Sequence, residues 1–294
     1  MTLTQQPMIY AMVAAEYGPI PLYPTKNYRL QPRPRPIGPI ADNDLEEERQ
    51  MYVVSQACCG VALVNKVAVQ LDEPPWPFAT QNGQKISAFW QEKRKSHPHF
   101  YDGQVHVMTS WEIRGSQASA AAFIGNVCRT NFASFLYWKV SDAHLQKEFD
   151  FSGGAALLCP DGALLMVLTG DHTIAPGTLE FPSGFLDVSD FDDNKLNFDR
   201  HVEREVTEEL VIKREELGRP KQYLVSAADG IVQVLSIFIV DTNGDEFTAR
   251  WRARAGALRS EISDVVAIYR FSDLAGFSVP AHVKAAVWYL LSHG

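Results

Sequence analysis

VEREVTEELVI, residues 202–212, is the stretch that decides the fold, because it places four glutamates within seven positions. On a helix, Glu205, Glu208 and Glu209 stand at i, i+3 and i+4 and share one face, with about 5–6 Å between neighbouring Cβ atoms. Like charges at this spacing repel each other. A divalent cation reverses that effect, because Mg²⁺ takes carboxylate and phosphate oxygens as ligands. The stretch therefore indicates either a solvated helix face or a metal site.

The residues in front of the helix favour the metal site. Taken alone, the acidic helix is typical of a solvated face whose salt-bridge partners would be Arg200, Arg204, Lys213 and Arg214. However, TLEFPSGFLD, residues 178–187, predicts a strand that ends in a tight turn at Gly184. Glycine can take backbone angles closed to other residues and leaves room for close approach. The loop then leads into a helix N-terminus, which offers N–H groups and positive dipole to phosphate.

The composition describes a globular protein and argues against several classes. The chain has 294 residues, of which 46% are hydrophobic and 21% charged, and this is enough for a sizeable core. The net charge of −8, without a Lys/Arg-rich run, argues against a nucleic-acid-binding face. The N-terminus lacks the positive region of a signal peptide, and no window reaches the ~18 apolar residues of a membrane span. We therefore expect a cytoplasmic protein with reduced cysteines.

The first 150 residues divide into two predicted parts. Residues 1–48 are rich in proline, as in QPRPRPIGPI, and predict an extended arm. Residues 49–150 predict a small α+β domain, from alternating or β-branched runs and from apolar residues at helical spacing. Its predicted strands are residues 51–70 and 104–113, and its predicted helices are residues 85–98 and 118–135.

Residues 151–294 contain the acidic helix and predict a second α+β domain. AALLCPDGALLMVL, residues 155–168, predicts a β-hairpin that turns on Pro-Asp-Gly. The polar stretch VSDFDDNKLN, residues 188–197, predicts a surface loop before the acidic helix. Later elements are the acidic helix at residues 198–214, strands at 230–240 and 265–271, and a closing helix within 279–291. This order predicts a mixed sheet with helices on both sides.

The stretches quoted above resemble the signature of the Nudix hydrolase family. That signature has a glycine, a glutamate and then REUxEExGU, where U is bulky and aliphatic. REVTEELVI, residues 204–212, supplies its arginine, its three glutamates and its aliphatic positions, and Gly184 fits the leading glycine. Asp190 replaces the first glutamate, thirteen residues instead of seven separate it from Arg204, and Val211 replaces a glycine. The extra length falls in a predicted surface loop, where it costs little.

Within that family, the chain is similar to the branch that cleaves UDP-glucose and UDP-galactose, which also has an N-terminal domain and a lengthened loop. The similarity extends from about Lys85 to the C-terminus. It implies a Nudix α/β/α sandwich with a mixed sheet, preceded by a smaller α+β domain. It also implies Mg²⁺-dependent hydrolysis of a nucleoside diphosphate sugar to a nucleoside monophosphate and a sugar 1-phosphate, with Mn²⁺ as an alternative ion. A homodimer would be compatible with the family.

The resemblance also assigns roles to single residues. Glu205, Glu208 and Glu209 would be the metal ligands, and one of them would take the proton of the attacking water. Glu261, which precedes a predicted strand, is a further candidate for ligand or base, and a plain surface glutamate is an equally good interpretation. Arg204 would orient the glutamates, and Gly184 would lie in the substrate loop. Asp187 and Asp190 are candidate outer ligands.

Two functional alternatives stay open. The signature does not encode the substrate, so that ADP-ribose or a dinucleotide could replace the UDP-sugar. The altered flanks of the signature also fit a non-catalytic module that binds a nucleotide or a protein, although such a module has no evident need for three mutually repelling glutamates. The aromatic candidates for holding the base, which are more typical of a core, are Tyr52, Trp90, Phe100, Tyr101 and Trp111. The loosely alternating histidines His97, His99 and His106 are a weak pattern for a transition metal.

Overall fold

The computed structural model describes residues 60–98, 100–115, 120–141, 148–171, 173–255 and 261–293. These residues form an α+β protein with two mixed sheets, which confirms the predicted class. The proline-rich arm, Tyr52 and His99 lie outside the described residues. In chain order the elements are β1 (Gly60–Val64), β2 (Lys66–Asp72), α1 (Pro77–Ser96), β3 (Gln104–Arg114), β4 (Ala122–Asn131), α2 (Phe132–Val140), β5 (Asp150–Leu158), β6 (Leu164–Thr169), β7 (Leu179–Glu180), β8 (Ser183–Gly184), β9 (Phe191–Asp192), β10 (Lys195–Leu196), α3 (Phe198–Leu210), β11 (Gln222–Ala228), β12 (Ile231–Ile239), α4 (Gly244–Arg254), β13 (Ile262–Ile268) and α5 (Ala281–His293).

The larger sheet has the strand order β1–β11–β12–β5–β6–β13, and β7 and β8 pair with β6 and β5. Among these neighbours, β12 and β5 run parallel. The apolar side of α3 packs on one face of this sheet through Val202 and Val206. The closing helix α5 packs on the other face through Val283 and Val287. This matches the predicted mixed sheet with helices on both sides, and it places the acidic helix directly on the sheet.

The smaller sheet has the order β3–β4–β2–β10–β9. It contains strands from both halves of the sequence, because β9 and β10 lie beyond residue 150. The larger sheet likewise receives β1 from the first half, where Gly60 pairs with Ala227 of β11. The two halves therefore exchange strands across the predicted boundary, and the division at residue 150 remains a prediction about the sequence.

The predicted helix at residues 118–135 is wrong over most of its length. Residues 122–131 form β4, which lies between β3 and β2 in the smaller sheet. Its buried positions alternate through Phe123, Gly125 and Val127, and pairing on both edges outweighs the helical propensity of the preceding alanines. The helix begins only at Phe132, where the Asn131 side chain accepts a hydrogen bond from the Ser134 N–H at 3.3 Å. Sequence patterns also missed β11 and α4.

The polar stretch at residues 188–197 is not the surface loop that we predicted, because Val188–Asp190 forms a turn of 3-10 helix and residues 191–196 form a β-hairpin. Asp193 and Asn194 form its turn with positive φ angles of 48° and 63°, as two-residue hairpin turns require. Lys195 pairs with Gln70 of β2, and the Leu71 N–H donates to the Asn194 carbonyl at 2.8 Å. The added residues therefore tie the segment in front of α3 to the smaller sheet.

A buried histidine at the start of α5 predicts acid sensitivity. Burial lowers the pKa of His282 to about 3, with a smaller contribution from Lys139. Because this pKa lies below that of the unfolded chain, the unfolded state binds more protons between the two values, and stability falls as pH falls below 6.5. We expect His282→Leu to remove on the order of 2 kcal/mol of the stability lost between neutral pH and about pH 4.5. Urea unfolding at both pH values measures this, and equal losses in parent and variant would contradict it.

Candidate functional site

The helix α3 places its glutamates beside the turn at β8. The Asn197 side chain caps it by accepting from the Arg200 N–H at 3.2 Å. The helix ends at Leu210, four residues before the predicted end, and Val211 follows with a left-handed φ of 54°. Glycine is the residue that such a C-cap favours. This is a physical reason why the signature has glycine where this chain has valine.

Gly184 allows the close approach of Glu205 to the turn. A Cβ atom at Gly184 would lie 2.6 Å from Glu205 Oε1, a separation that real Cβ atoms do not show. The φ angle of Gly184 is not in the left-handed region. Our expectation of a backbone angle closed to other residues is therefore wrong at this position. The group that approaches Gly184 in the structure is the Glu205 carboxylate, and the close approach of a ligand stays a prediction.

Gly184→Ala is expected to lower the free energy of unfolding by about 1 kcal/mol, the low end for overpacking, because the methyl group displaces the end of the Glu205 side chain from the turn and from Arg204. The matched control is Gly60→Ala, also at a strand glycine, where nothing lies within 4 Å of the added Cβ. Urea denaturation of both variants measures the difference. Equal stabilities would contradict the contact between Gly184 and Glu205.

Asp190 is buried beside α3 and holds two of its side chains. Its exposed fraction is 1%, and it accepts from Arg204 Nη2 at 2.8 Å, from His201 Nδ1 at 2.9 Å and from the Asp187 N–H at 2.8 Å. Burial would raise the pKa of Asp190, but the hydrogen bonds from His201 and Arg204 outweigh it and hold that pKa well below its usual range. Asp190 is thus the partner of Arg204 here, and its role as an outer ligand stays a prediction.

His201 is a buried neighbour of Asp190 that the sequence patterns did not single out. It is fully buried on α3, where its Nε2 lies 3.2 Å from the Gly153 carbonyl oxygen and its Nδ1 lies 2.9 Å from an Asp190 carboxylate oxygen. Gly153 lies within β5, and a Cβ there would come within 2.6 Å of the His201 ring. The one signal in the sequence is its place four residues before Glu205. Asp187, the other candidate outer ligand, is exposed and accepts from the Ser189 N–H at 2.8 Å.

The three glutamates of the signature share one side of α3 but differ in exposure. The Glu205 side chain is 11% exposed and accepts from Arg204 Nη1 at 2.7 Å. The Glu208 side chain is 63% exposed and lies 3.6 Å from the same guanidinium nitrogen. Glu209 is largely buried, and its Oε2 accepts from the Ser183 N–H at 3.1 Å. Arg204 therefore contacts two of the glutamates, and its orienting role stays a prediction.

Burial raises the pKa values of Glu205 and Glu209, the latter well above its usual range. At Glu209 the negative charges of Glu205, Glu261 and Glu180 add to this effect, against the Ser183 N–H. We call these four residues (Glu180, Glu205, Glu209 and Glu261), together with Glu208, whose charge acts on Glu205, the acidic face. Burial and these negative charges disfavour the ionised form of Glu209, which a positive charge nearby would favour.

Glu180 and Glu261 extend the acidic face beyond α3. Glu180 lies on β7, and burial together with Asp150 raises its pKa to about 6, while Lys139 opposes the rise. Glu180 stands in TLEFPSGFLD, residues 178–187, but the sequence patterns gave it no functional role. Glu261 is exposed at the start of β13, and its backbone carbonyl accepts from the Gly170 N–H at 2.7 Å. Its charge acts on Glu209, and its role as ligand or base stays a prediction.

The donor set of the acidic face fits a hard divalent cation. Carboxylate oxygens are what Mg²⁺ prefers, and a cation would reverse the repulsion that raises the pKa of Glu209. In the part of the chain that the structure describes, no three His, Cys, Asp or Glu side chains converge as metal ligands in their present rotamers. Arg204 lies between Glu205 and Glu208 instead. The ligand set Glu205, Glu208 and Glu209 accordingly stays a prediction.

Among the described candidates from the first half, Trp90, Phe100 and Trp111 pack against other aromatic rings, and Tyr101 does not. Trp90 and Phe100 both lie edge-on to Phe132, and Trp111 stacks on Phe123. Tyr101 is 83% exposed. His97 stacks on the Phe100 ring, and His106 hydrogen-bonds a backbone carbonyl. These contacts separate His97 and His106, so that the weak pattern for a transition metal has no support among the described residues.

Comparisons with known proteins add little to this geometry. No family model matches the sequence, and no curated protein matches it. A similar solved structure is the solution structure of the E. coli ORF135 protein, which is 14% identical with a TM-score of 0.27 and covers 48% of this chain and 91% of its own. Across residues 60–293, apart from the gaps given above, no helix has the length and apolar character that crossing a membrane requires.

Proposed function

We propose that this chain is a Nudix-type pyrophosphohydrolase that uses Mg²⁺ to cleave nucleoside diphosphate sugars, UDP-glucose and UDP-galactose first, into a nucleoside monophosphate and a sugar 1-phosphate. The observation that carries the proposal is the acidic face, where the carboxylates of Glu205 and Glu209 are held at the Ser183–Gly184 turn with raised pKa values. The larger sheet with α3 and α5 on opposite faces supports a Nudix α/β/α sandwich.

Three glutamates of the acidic face would hold the ion, and Arg204 would orient one of them. A bound Mg²⁺ would neutralise phosphate oxygens and acidify the attacking water. Glu205 and Glu209 would be its inner ligands, because the turn and Arg204 fix their carboxylates. Glu208 is exposed and approaches from the solvent side. Arg204 is held by Asp190, so that it orients Glu205 and does not need to reach the substrate.

A carboxylate of the acidic face would take the proton of the attacking water. Glu180 has a pKa of about 6, which suits a general base near neutral pH. Glu261, Glu205 and Glu208 are the other candidates. The water oxygen forms a bond to one phosphorus, the bond from that phosphorus to the bridging oxygen breaks, and the leaving phosphate keeps the electron pair. The proton moves to the carboxylate oxygen and then to solvent.

A substrate panel tests this proposal. The protein is incubated with UDP-glucose, UDP-galactose, ADP-ribose and a dinucleoside polyphosphate, with Mg²⁺ or with a chelator, and ³¹P NMR follows the formation of phosphate monoesters. We expect two monoester signals from the UDP-sugars with Mg²⁺ and none with the chelator. Faster turnover of ADP-ribose or the dinucleotide would overturn the UDP-sugar assignment. Tight binding of one compound without turnover of any would favour the non-catalytic module and overturn the hydrolase.

A further inference from the structure

His106 connects the smaller sheet to the segment that precedes α3. It lies on β3, it is buried, and its Nδ1 is 3.0 Å from the Leu186 carbonyl oxygen. Because a carbonyl only accepts, Nδ1 carries the hydrogen and Nε2 is left as the acceptor. Within the described residues Nε2 has no hydrogen-bond partner although it is buried. Burial lowers the pKa of His106 to about 4, so that the ring is neutral at pH 7.

The neighbouring peptide group is held from the opposite side by the acidic helix. Arg204 Nη2 donates to the Phe185 carbonyl at 3.4 Å, one residue before the carbonyl that His106 holds. The Phe185 ring packs edge-on against Phe135 of α2, with 5.2 Å between ring centroids. The Phe185 carbonyl is thus hydrogen-bonded to α3, and the next carbonyl, of Leu186, to β3. The Phe185 side chain packs against α2, which belongs to the first half of the chain.

We propose that His106 is a positioning residue for the acidic face, acting through the backbone of Phe185 and Leu186 on Arg204. Arg204 in turn holds Glu205 at 2.7 Å, so a shift of this backbone moves the guanidinium that orients the carboxylate. Groups that orient a ligand through a hydrogen bond commonly change metal affinity or activity about 10–100-fold when they are removed.

The buried, unpaired Nε2 supports this interpretation. A buried polar atom without a partner destabilises the fold, and such atoms in native structures call for a reason. An apolar residue of similar size would avoid that penalty at position 106. What the imidazole supplies instead is the N–H that reaches the Leu186 carbonyl. The ring also packs on Phe191 of β9, with 5.0 Å between centroids, so it contacts both ends of the segment that carries Asp190.

The inference rests on the proposed function, and paired variants test it. His106→Asn keeps an N–H near the position of Nδ1, whereas His106→Leu removes it and keeps the bulk. We expect His106→Leu to weaken Mn²⁺ binding, measured by electron paramagnetic resonance, about tenfold and to lower kcat about tenfold. We expect His106→Asn to stay close to the parent in both. The structural control is Ile113→Ala, also buried on β3, which should lose stability without losing Mn²⁺ affinity.

The outcomes separate this inference from the proposed function. His106→Leu with the parent's Mn²⁺ affinity overturns the positioning role, and so does His106→Asn that is as weak as His106→Leu. A parent that binds Mn²⁺ but turns over no substrate overturns the hydrolase, while the Mn²⁺ affinities of the variants still decide the role of His106. A parent that does not bind Mn²⁺ overturns both.

Discussion

Glu209→Gln is expected to lower kcat at least ~10²-fold with the fold intact, because the charge stabilisation that a metal supplies is worth several kcal/mol. Gln keeps the shape of the side chain and an oxygen for the Ser183 N–H, which donates to Glu209 at 3.1 Å in the parent. It removes the negative charge that a divalent cation needs. Steady-state kinetics with the best compound of the panel measures the loss.

The stability of the same variant separates a lost ligand from a damaged fold. The pKa of Glu209 is raised by burial above its value in the unfolded chain, so the folded protein without metal loses stability as pH rises through that raised pKa. Neutral Gln escapes this loss. We therefore expect Glu209→Gln without Mg²⁺ to be as stable as the parent or more stable at about pH 8.

The matched control for Glu209→Gln is Glu203→Gln on the same helix. Glu203 pairs with the largely exposed Arg214 at 2.7 Å, and such pairs contribute about 0.2–1 kcal/mol. We expect this variant to keep the parent's kcat and Mn²⁺ affinity. Unchanged turnover in Glu209→Gln, or an equal loss in Glu203→Gln, would sink the site assignment.

Asp190→Ala is expected to have the largest effect on stability. Removing one partner of a buried charge pair costs about 3–5 kcal/mol, because the other charge stays buried and unpaired. In this chain it is the buried His201 that would lose its carboxylate partner, whereas Arg204 would lose Asp190 and keep its contacts with Glu205 and Glu208. We expect a loss of that size in the free energy of unfolding, measured by urea denaturation at neutral pH, together with a lower kcat because Arg204 is no longer held in place by Asp190.

Asp192→Ala is the control for Asp190→Ala. Asp192 lies two residues away in the same polar stretch and pairs with Arg200 at 3.0 Å, but both side chains are substantially exposed. An exposed pair contributes about 0–1 kcal/mol, so we expect a small change in stability and an unchanged kcat. Similar stability losses in the two variants would contradict the larger contribution of the buried Asp190 carboxylate to stability.

Much of the secondary structure could be predicted because local patterns coincide with tertiary contacts. The apolar runs around Pro160 form the predicted hairpin, in which Leu157 pairs with Leu165. The spacing of Val283 and Val287 marks a helix that packs on the sheet through these residues. Residues 122–131 show the limit, because pairing with two distant strands decides their conformation and leaves only the alternation of buried residues as a signal.

The candidate site was predictable where residues are close along one helix. The spacing of Glu205, Glu208 and Glu209 was sufficient to place them on one side of α3. It could not show that Glu208 is exposed while Glu205 is buried, because their burial depends on the turn at Gly184. Glu180 was not singled out, and His106 was named only in a weak pattern for a transition metal, because the relation of both residues to α3 arises only when distant strands come together.

Mn²⁺ binding to the full chain is the measurement that tests the central claim most directly. Electron paramagnetic resonance titration of the parent, of Glu209→Gln and of Glu203→Gln measures whether the acidic face holds a divalent cation. We expect the parent and Glu203→Gln to bind Mn²⁺ with the same affinity and Glu209→Gln to bind at least about tenfold more weakly. A parent that does not bind Mn²⁺, or Glu209→Gln with the parent's affinity, would contradict the account.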